Sequence, residues 1–129
     1  MDELLFIETI RVEDGTFVRP ELHLQRMRQT VREAYGVASG FDLADGSIPL
    51  QHRKGTVKCR IVYGRSLSEI SFAPYVPREI RSLRLVAADD ELDYHLKYAD
   101  RSALARLLQR RDDCDEILIV RDGAITDTS

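Results

Sequence analysis

Phe6-Ile7-Glu8-Thr9-Ile10-Arg11-Val12-Glu13-Asp14-Gly15-Thr16-Phe17-Val18-Arg19-Pro20-Glu21 is the stretch that decides the architecture. Its first half, with Leu4 and Leu5 ahead of it, is rich in strand formers. Asp14-Gly15 is a two-residue hairpin signal, and Thr16-Phe17-Val18 supplies a returning strand. Successive side chains alternate on a strand, so Phe6, Glu8, Ile10 and Val12 share one face. A carboxylate therefore stands in an otherwise apolar row. Pro20-Glu21 then opens a helix: proline is tolerated at the first helical position, and an acid suits the positive end of the helix dipole. Leu24, Met27, Val31 and Tyr35 recur at helical spacing, and Gly36 supplies the stop.

Working outward, residues 37–54 lack periodicity and read as loop, with a turn of helix near Phe41. In Val57-Lys58-Cys59-Arg60-Ile61-Val62-Tyr63 the odd positions share a face. Strand-like runs follow from Ser68 to Ala73 and from Ser82 to Ala87, with Pro74 and Pro77 confining the pairing between them to an edge or a loop. A second helix from about Asp100 to Arg111 sets Leu104, Leu107 and Leu108 on one face. Ile117-Leu118-Ile119-Val120 reads as a buried strand, Asp122-Gly123 as a second hairpin turn, and Ala124 to Thr126 as its return. Strands, helix, strands, helix, strands make an α+β protein with a mostly antiparallel sheet. The closing hairpin would expose an unpaired edge and face. The expectation is a piece of a larger protein, or a partner that covers it.

The chain has 129 residues, enough for a core, and its hydrophobic share of 43% with 32% charged residues is that of a globular protein. No run approaches the ~18 apolar residues of a membrane span, and Met1-Asp2-Glu3 does not open a signal peptide, so a cytoplasmic protein without membrane contact is expected. A net charge of −3 disfavours a nucleic-acid partner. The basic clusters His52-Arg53-Lys54, Arg78 to Arg84 and Arg106-Arg110-Arg111 have no aromatic stacking platform. Cys59 and Cys114 are far apart and read as reduced thiols. The three histidines, His23, His52 and His95, have no metal-ligand spacing.

Three segments carry chemistry. His23 and Arg26, three residues apart, fall on one side of the first helix, and the arginine fork matches phosphate oxygens. On spacing alone these are surface residues of a helix that also carries Arg28 and Arg32. Lys97 stands in Tyr94-His95-Leu96-Lys97-Tyr98-Ala99-Asp100-Arg101. Taken alone it is an exposed lysine, whereas among tyrosines it can lose solvation and act as an amine nucleophile. Asp127, in Ile125-Thr126-Asp127-Thr128-Ser129, is a turn aspartate or a partner for a protonated ring nitrogen. Glu8 is a simple edge-strand glutamate, or a buried or cleft-lining carboxylate.

In that order, the hairpin with His23-Leu24-Gln25-Arg26, then Lys97-Tyr98-Ala99-Asp100-Arg101, then the strand-turn-strand ending on Asp127, the chain resembles the fold-type IV pyridoxal-phosphate enzymes. These include the class IV aminotransferases and aminodeoxychorismate lyases, and the lysine segment is similar to that of their short, bacterial-type members. The resemblance implies an N-terminal two-layer domain of the D-amino-acid-aminotransferase-like fold over 1–88 and the start of the cofactor domain, incomplete, over 89–129. It implies pyridoxal 5'-phosphate held by Arg26, His23, Lys97 and Asp127, with Lys97 as the catalytic Schiff-base lysine, and Glu8 and Tyr63 towards the substrate. Two positions depart from the pattern. Most members carry glutamate where Asp127 stands, and several place an arginine where Tyr63 stands.

The implied reaction is amino transfer between an amino acid and a 2-oxo acid. The alternatives are aminodeoxychorismate lysis to pyruvate and 4-aminobenzoate, and a non-catalytic α+β scaffold or binding module. A homodimer is implied, as is a chain truncated at its C-terminus, with little cofactor affinity in isolation.

Overall fold

A computed structural model describes residues 4–89, 92 and 96–129. Tyr94, His95 and the opening Met1-Asp2-Glu3, all named above, lie outside the described residues. The contacts divide the chain into two compact units, Met1–Val76 with Leu96–Ala99, and Pro77–His95 with Asp100–Ser129. The expected boundary at residue 88 therefore falls inside the second unit.

In the first unit β1 (Phe6–Glu13) and β2 (Thr16–Phe17) form the hairpin. Asp14 and Gly15 have φ of 49° and 81°. Two successive positive values give the turn whose twist matches that of the strands. β3 (Thr56–Tyr63) and β4 (Leu67–Pro74) complete an antiparallel sheet in the order β2-β1-β3-β4. Pro74 closes the edge strand, where a missing N–H is tolerated. α1 (Pro20–Tyr35) begins at the expected proline and ends where Gly36, at φ 68°, donates its N–H to the Arg32 carbonyl at 2.9 Å.

α1 forms the second layer of this unit. Met27 and Val31, both fully buried, join Phe6, Ile10, Val12, Val57, Cys59, Ile61 and Tyr63 in one core. The alternation read from β1 and β3 is thus the packing alternation. The helical turn expected near Phe41 is absent. Phe41 is buried in irregular backbone with its ring edge-on to Tyr63 at 5.5 Å, and the short 3-10 turns fall later, at Asp45–Ser47 and Leu50–His52. Asp45 anchors this loop by accepting the Phe17 N–H at 3.0 Å.

β2 pairs only with Val12 and Glu13 and leaves the start of β1 open on that side. Leu96–Ala99 fills it. Ile7 donates its N–H to the Lys97 carbonyl at 2.8 Å, and Ala99 donates to the Leu5 carbonyl at 2.9 Å. Phe6 and Tyr98 face each other across this bridge with rings 5.3 Å apart.

The second unit holds β5 (Leu83–Ala87), α2 (Ser102–Leu108) with a 3-10 turn at Gln109–Arg111, β6 (Glu116–Arg121) and β7 (Ala124–Asp127). The sheet order is β5-β6-β7. The strands pair antiparallel for the most part, as expected, and one pairing among the described residues departs from that: β5 and β6 run parallel. The reason is the helical segment between them, which carries the chain back to the starting end of the sheet before β6 begins. Val86, Leu104, Leu107, Ile117 and Ile119 bury against one another, while Leu85 and Ile125 are exposed. Taken unit by unit, the architecture is α+β.

Among the described residues of the second unit, Glu116 is the buried acid. It accepts from Arg78 Nη2 at 2.5 Å and from the Ile117 N–H at 2.9 Å. Burial pushes its carboxyl up, but hydrogen bonds from Ser129, Ile117 and Arg78 outweigh that and hold it below its ordinary value of 4.5. A lowered folded-state pKa contributes stability that is fully present above pH 4.5 and lost as pH falls through the folded value. Urea midpoints followed downward from pH 6 should therefore fall below about pH 4.5, and Glu116→Gln should flatten that limb. A Gln variant with an unchanged acid limb would contradict this account.

Candidate functional site

The site is built on β1 and α1. Glu8 lies on the inward row of β1 and is completely buried. Its carboxylate accepts from Arg26 Nε at 3.1 Å and 3.0 Å on its two oxygens, from Arg26 Nη2, and meets His23 Nδ1 at 2.6 Å. His23 and Arg26 reach it because three residues of helix bring two side chains to one face. A buried carboxylate is costly unless paired, and this one has a cation and a hydrogen-bonding ring on it. Arg26 is half exposed, so the charge is anchored inside and presented outside.

One turn further along α1, Thr30 is buried and hydrogen-bonds the Tyr63 side chain of β3. Burial is the main reason the Tyr63 phenol is pushed up. The Glu8 charge adds to the shift, and the Thr30 hydrogen bond and the Arg26 charge oppose it. His23, Arg26 and Thr30 thus form a polar stripe on α1 that meets Glu8 and Tyr63 on the sheet. Thr30 went unnoticed in the sequence, although a threonine between core residues Met27 and Val31 is the signal that would have found it.

Outside this network an open cavity of about 530 Å³ is lined by Arg11, Val18, Arg19, Leu22, His23 and Arg26. Three arginines line this opening, two of them paired with acids, Arg26 with Glu8 and Arg11 with Glu13 at 2.9 Å. Arg19 was not singled out in the sequence. Its φ of 51° is uncommon for a residue with a side chain, and it sits just before the Pro20 that opens α1.

Lys97 belongs to the same unit as Arg26 and is half-buried. Its carbonyl is tied to Ile7, the neighbour of Glu8, so the lysine and the arginine are anchored at consecutive residues of β1. Tyr98, one of its two expected aromatic neighbours, packs on Phe6. Glu8 and Tyr63, expected towards a substrate, both lie beneath the surface. Asp127 is in the other unit, at the end of β7, where its Oδ1 accepts the Thr128 N–H at 2.9 Å.

No family profile matches the chain. A curated protein of Haemophilus influenzae, itself uncharacterized, is 35% identical over 127 residues, which is 95% of this chain. The chain spans 66% of that relative's length. A crystal structure from Haemophilus somnus, of a protein provisionally named a 4-amino-4-deoxychorismate lyase, superposes with a TM-score of 0.81 at 30% identity, covering 99% of this chain and 69% of that one. An amino-acid aminotransferase, also provisionally named, from Mesorhizobium loti superposes with a TM-score of 0.68 at 22% identity and shares the fold. The architecture is therefore that of the aminodeoxychorismate lyases and class IV aminotransferases, over part of their length. The chain belongs to the family of the Haemophilus somnus protein.

Proposed function

We propose that this chain carries the lysine and phosphate-binding parts of a pyridoxal 5'-phosphate site, in an enzyme that acts on a small amine-bearing acid. One observation carries the reading: Arg26 and Lys97, distant in sequence, belong to one compact unit and are both tied to the first half of β1, Arg26 by its side chain to Glu8 and Lys97 by its backbone carbonyl to Ile7. The donor set fits the group. An arginine fork on an arginine-lined cavity suits a phosphate, and a lysine of intermediate burial in the same unit suits an aldehyde. When bound, pyridoxal phosphate supplies an aldehyde for the amine and a ring that takes up electrons as the α-proton leaves.

In this reading Arg26, with His23 beside it, binds the phosphate. Lys97 would hold the aldehyde, and its amine would move the proton at the substrate α-carbon. Asp127 holds the proton on the ring nitrogen. A homodimer and a cytoplasmic location complete the proposal, on the resemblance alone.

Among reactions sharing that proton transfer, release of pyruvate and 4-aminobenzoate from 4-amino-4-deoxychorismate has the support of the relative at 30% identity. Amino transfer to a 2-oxo acid, the first reading of the sequence, is separated from it by product.

The test is a borohydride trap on the full protein, with pyridoxal phosphate added, reduced, digested and mapped by mass spectrometry. One stoichiometric label on Lys97 is expected. Label scattered over surface lysines, or none, would overturn the cofactor assignment. Pyruvate appearing without a 2-oxo acid acceptor then selects the lyase.

A further inference from the structure

We infer that Glu8 is the positioning residue for Arg26: it fixes the guanidinium from inside the protein so that its outer part meets the cofactor phosphate already oriented. This rests on the pyridoxal-phosphate reading above and deepens it. It also gives Glu8 a place different from the substrate contact expected of it.

Glu8 is completely buried, on a strand held along its full length by β3, from Phe6 opposite Tyr63 to Glu13 opposite Thr56. It is thus among the least mobile places in the unit to mount a charge. A glutamate with no exposed surface has no reach to solvent, and the polar groups it touches through these contacts are His23 and Arg26. Its contacts with Arg26 use Nε and Nη2, the side edge of the guanidinium. The end edge, between Nη1 and Nη2, is a second fork and is not the one these contacts use.

Half of the Arg26 side chain is exposed, at the cavity that Arg11 and Arg19 also line. An arginine on a helix otherwise has several rotatable bonds to order when an anion arrives. Gripping the side edge removes that freedom beforehand, which favours binding of a planar pair of phosphate oxygens. His23 at 2.6 Å from the same carboxylate restrains it from the helix side. A carboxylate serving only the core would be needlessly expensive there, since an apolar side chain packs such a row without desolvating a charge.

The experiment compares pyridoxal 5'-phosphate with pyridoxal, which lacks the phosphate, on the full protein, its Glu8→Gln variant and its Arg26→Gln variant. Affinities are read by fluorescence titration, with melting curves confirming the fold. Wild type should prefer the phosphorylated form. Glu8→Gln should lose about tenfold in affinity for it while pyridoxal binding stays unchanged, as Arg26→Gln does to a greater degree. A purely structural role would weaken both ligands together.

Loss of the preference in Arg26→Gln with its full retention in Glu8→Gln would overturn the positioning role and leave the cofactor reading standing. A wild type that binds both forms alike, or neither, would overturn the cofactor reading and this inference with it. Should Glu8→Gln not fold, Glu8→Asp keeps the charge but draws it back by one methylene. It must reduce the same ratio, and an unchanged ratio would sink the inference.

Discussion

Replacing Lys97 by alanine should lower turnover of the full protein by at least about 10²–10⁴-fold, the usual contribution of a positioned proton-transfer group, and abolish the trapped label. The fold should survive. Lys97 supports β1 through its backbone carbonyl, which accepts the Ile7 N–H, and alanine keeps that carbonyl. The neighbouring Tyr98, whose ring lies on Phe6 and anchors the segment, is untouched by the substitution. Thermal melting and steady-state rate measured on the same preparation would therefore separate two roles. Lost activity at an unchanged melting temperature assigns the amine to chemistry. Activity retained in Lys97→Ala would contradict the proposed site, and it would point to a scaffold that never uses this amine.

The second large effect is on stability. Arg26→Leu should destabilise the protein by about 2–3 kcal/mol, because among the described residues it leaves the Glu8 carboxylate, at zero exposure, with only the His23 ring on it. The figure is set just below the ~3–5 kcal/mol of a broken, fully buried pair, since Arg26 is itself half exposed and its solvated part contributes little. The reverse substitution is milder. Glu8→Gln removes the buried charge and leaves a cation that can turn towards water. The double variant Glu8→Gln/Arg26→Leu should accordingly be more stable than Arg26→Leu alone. A urea-denaturation cycle over the four proteins measures this coupling. Strict additivity would mean that the pair is not energetically linked and that the buried carboxylate is stabilised by something other than Arg26.

Both expectations depend on the same short piece of β1, and this shows which kinds of information a sequence carries. The hairpin at Asp14-Gly15 was legible because positive φ at two successive residues is a local demand that few residue types meet. The limits of α1 were legible for the same reason, with Pro20 and Gly36 acting within one turn of themselves. Alternation along β1 and β3 also read through, because the period of two follows from strand geometry whatever the sheet later packs against. Phe41 was misread. Its place is set by the Tyr63 ring and by the Asp45 hydrogen bond to Phe17, neither of which its neighbours in sequence encode.

The site divides along the same line. His23 and Arg26 could be picked out because a helix fixes what lies three residues away, and Lys97 because it sits in a segment resembling a known one. Glu8 could be placed on an inward face, but its burial gave no hint that a helix residue would supply the balancing charge. Thr30 was passed over because its partner, Tyr63, comes from a strand far along the chain.

By itself, then, the sequence determined the turns, the helix ends, the strand faces and the residue types able to grip a phosphate or an aldehyde. Each of these follows from backbone sterics or side-chain chemistry within a few residues. Only the tertiary structure decided that β5 and β6 run parallel, that Leu96–Ala99 docks on the open edge of β1, and that Glu8 seizes Arg26. Those depend on which distant groups must leave water together, since an unpaired edge needs a strand and a buried carboxylate needs a cation wherever the fold can bring one.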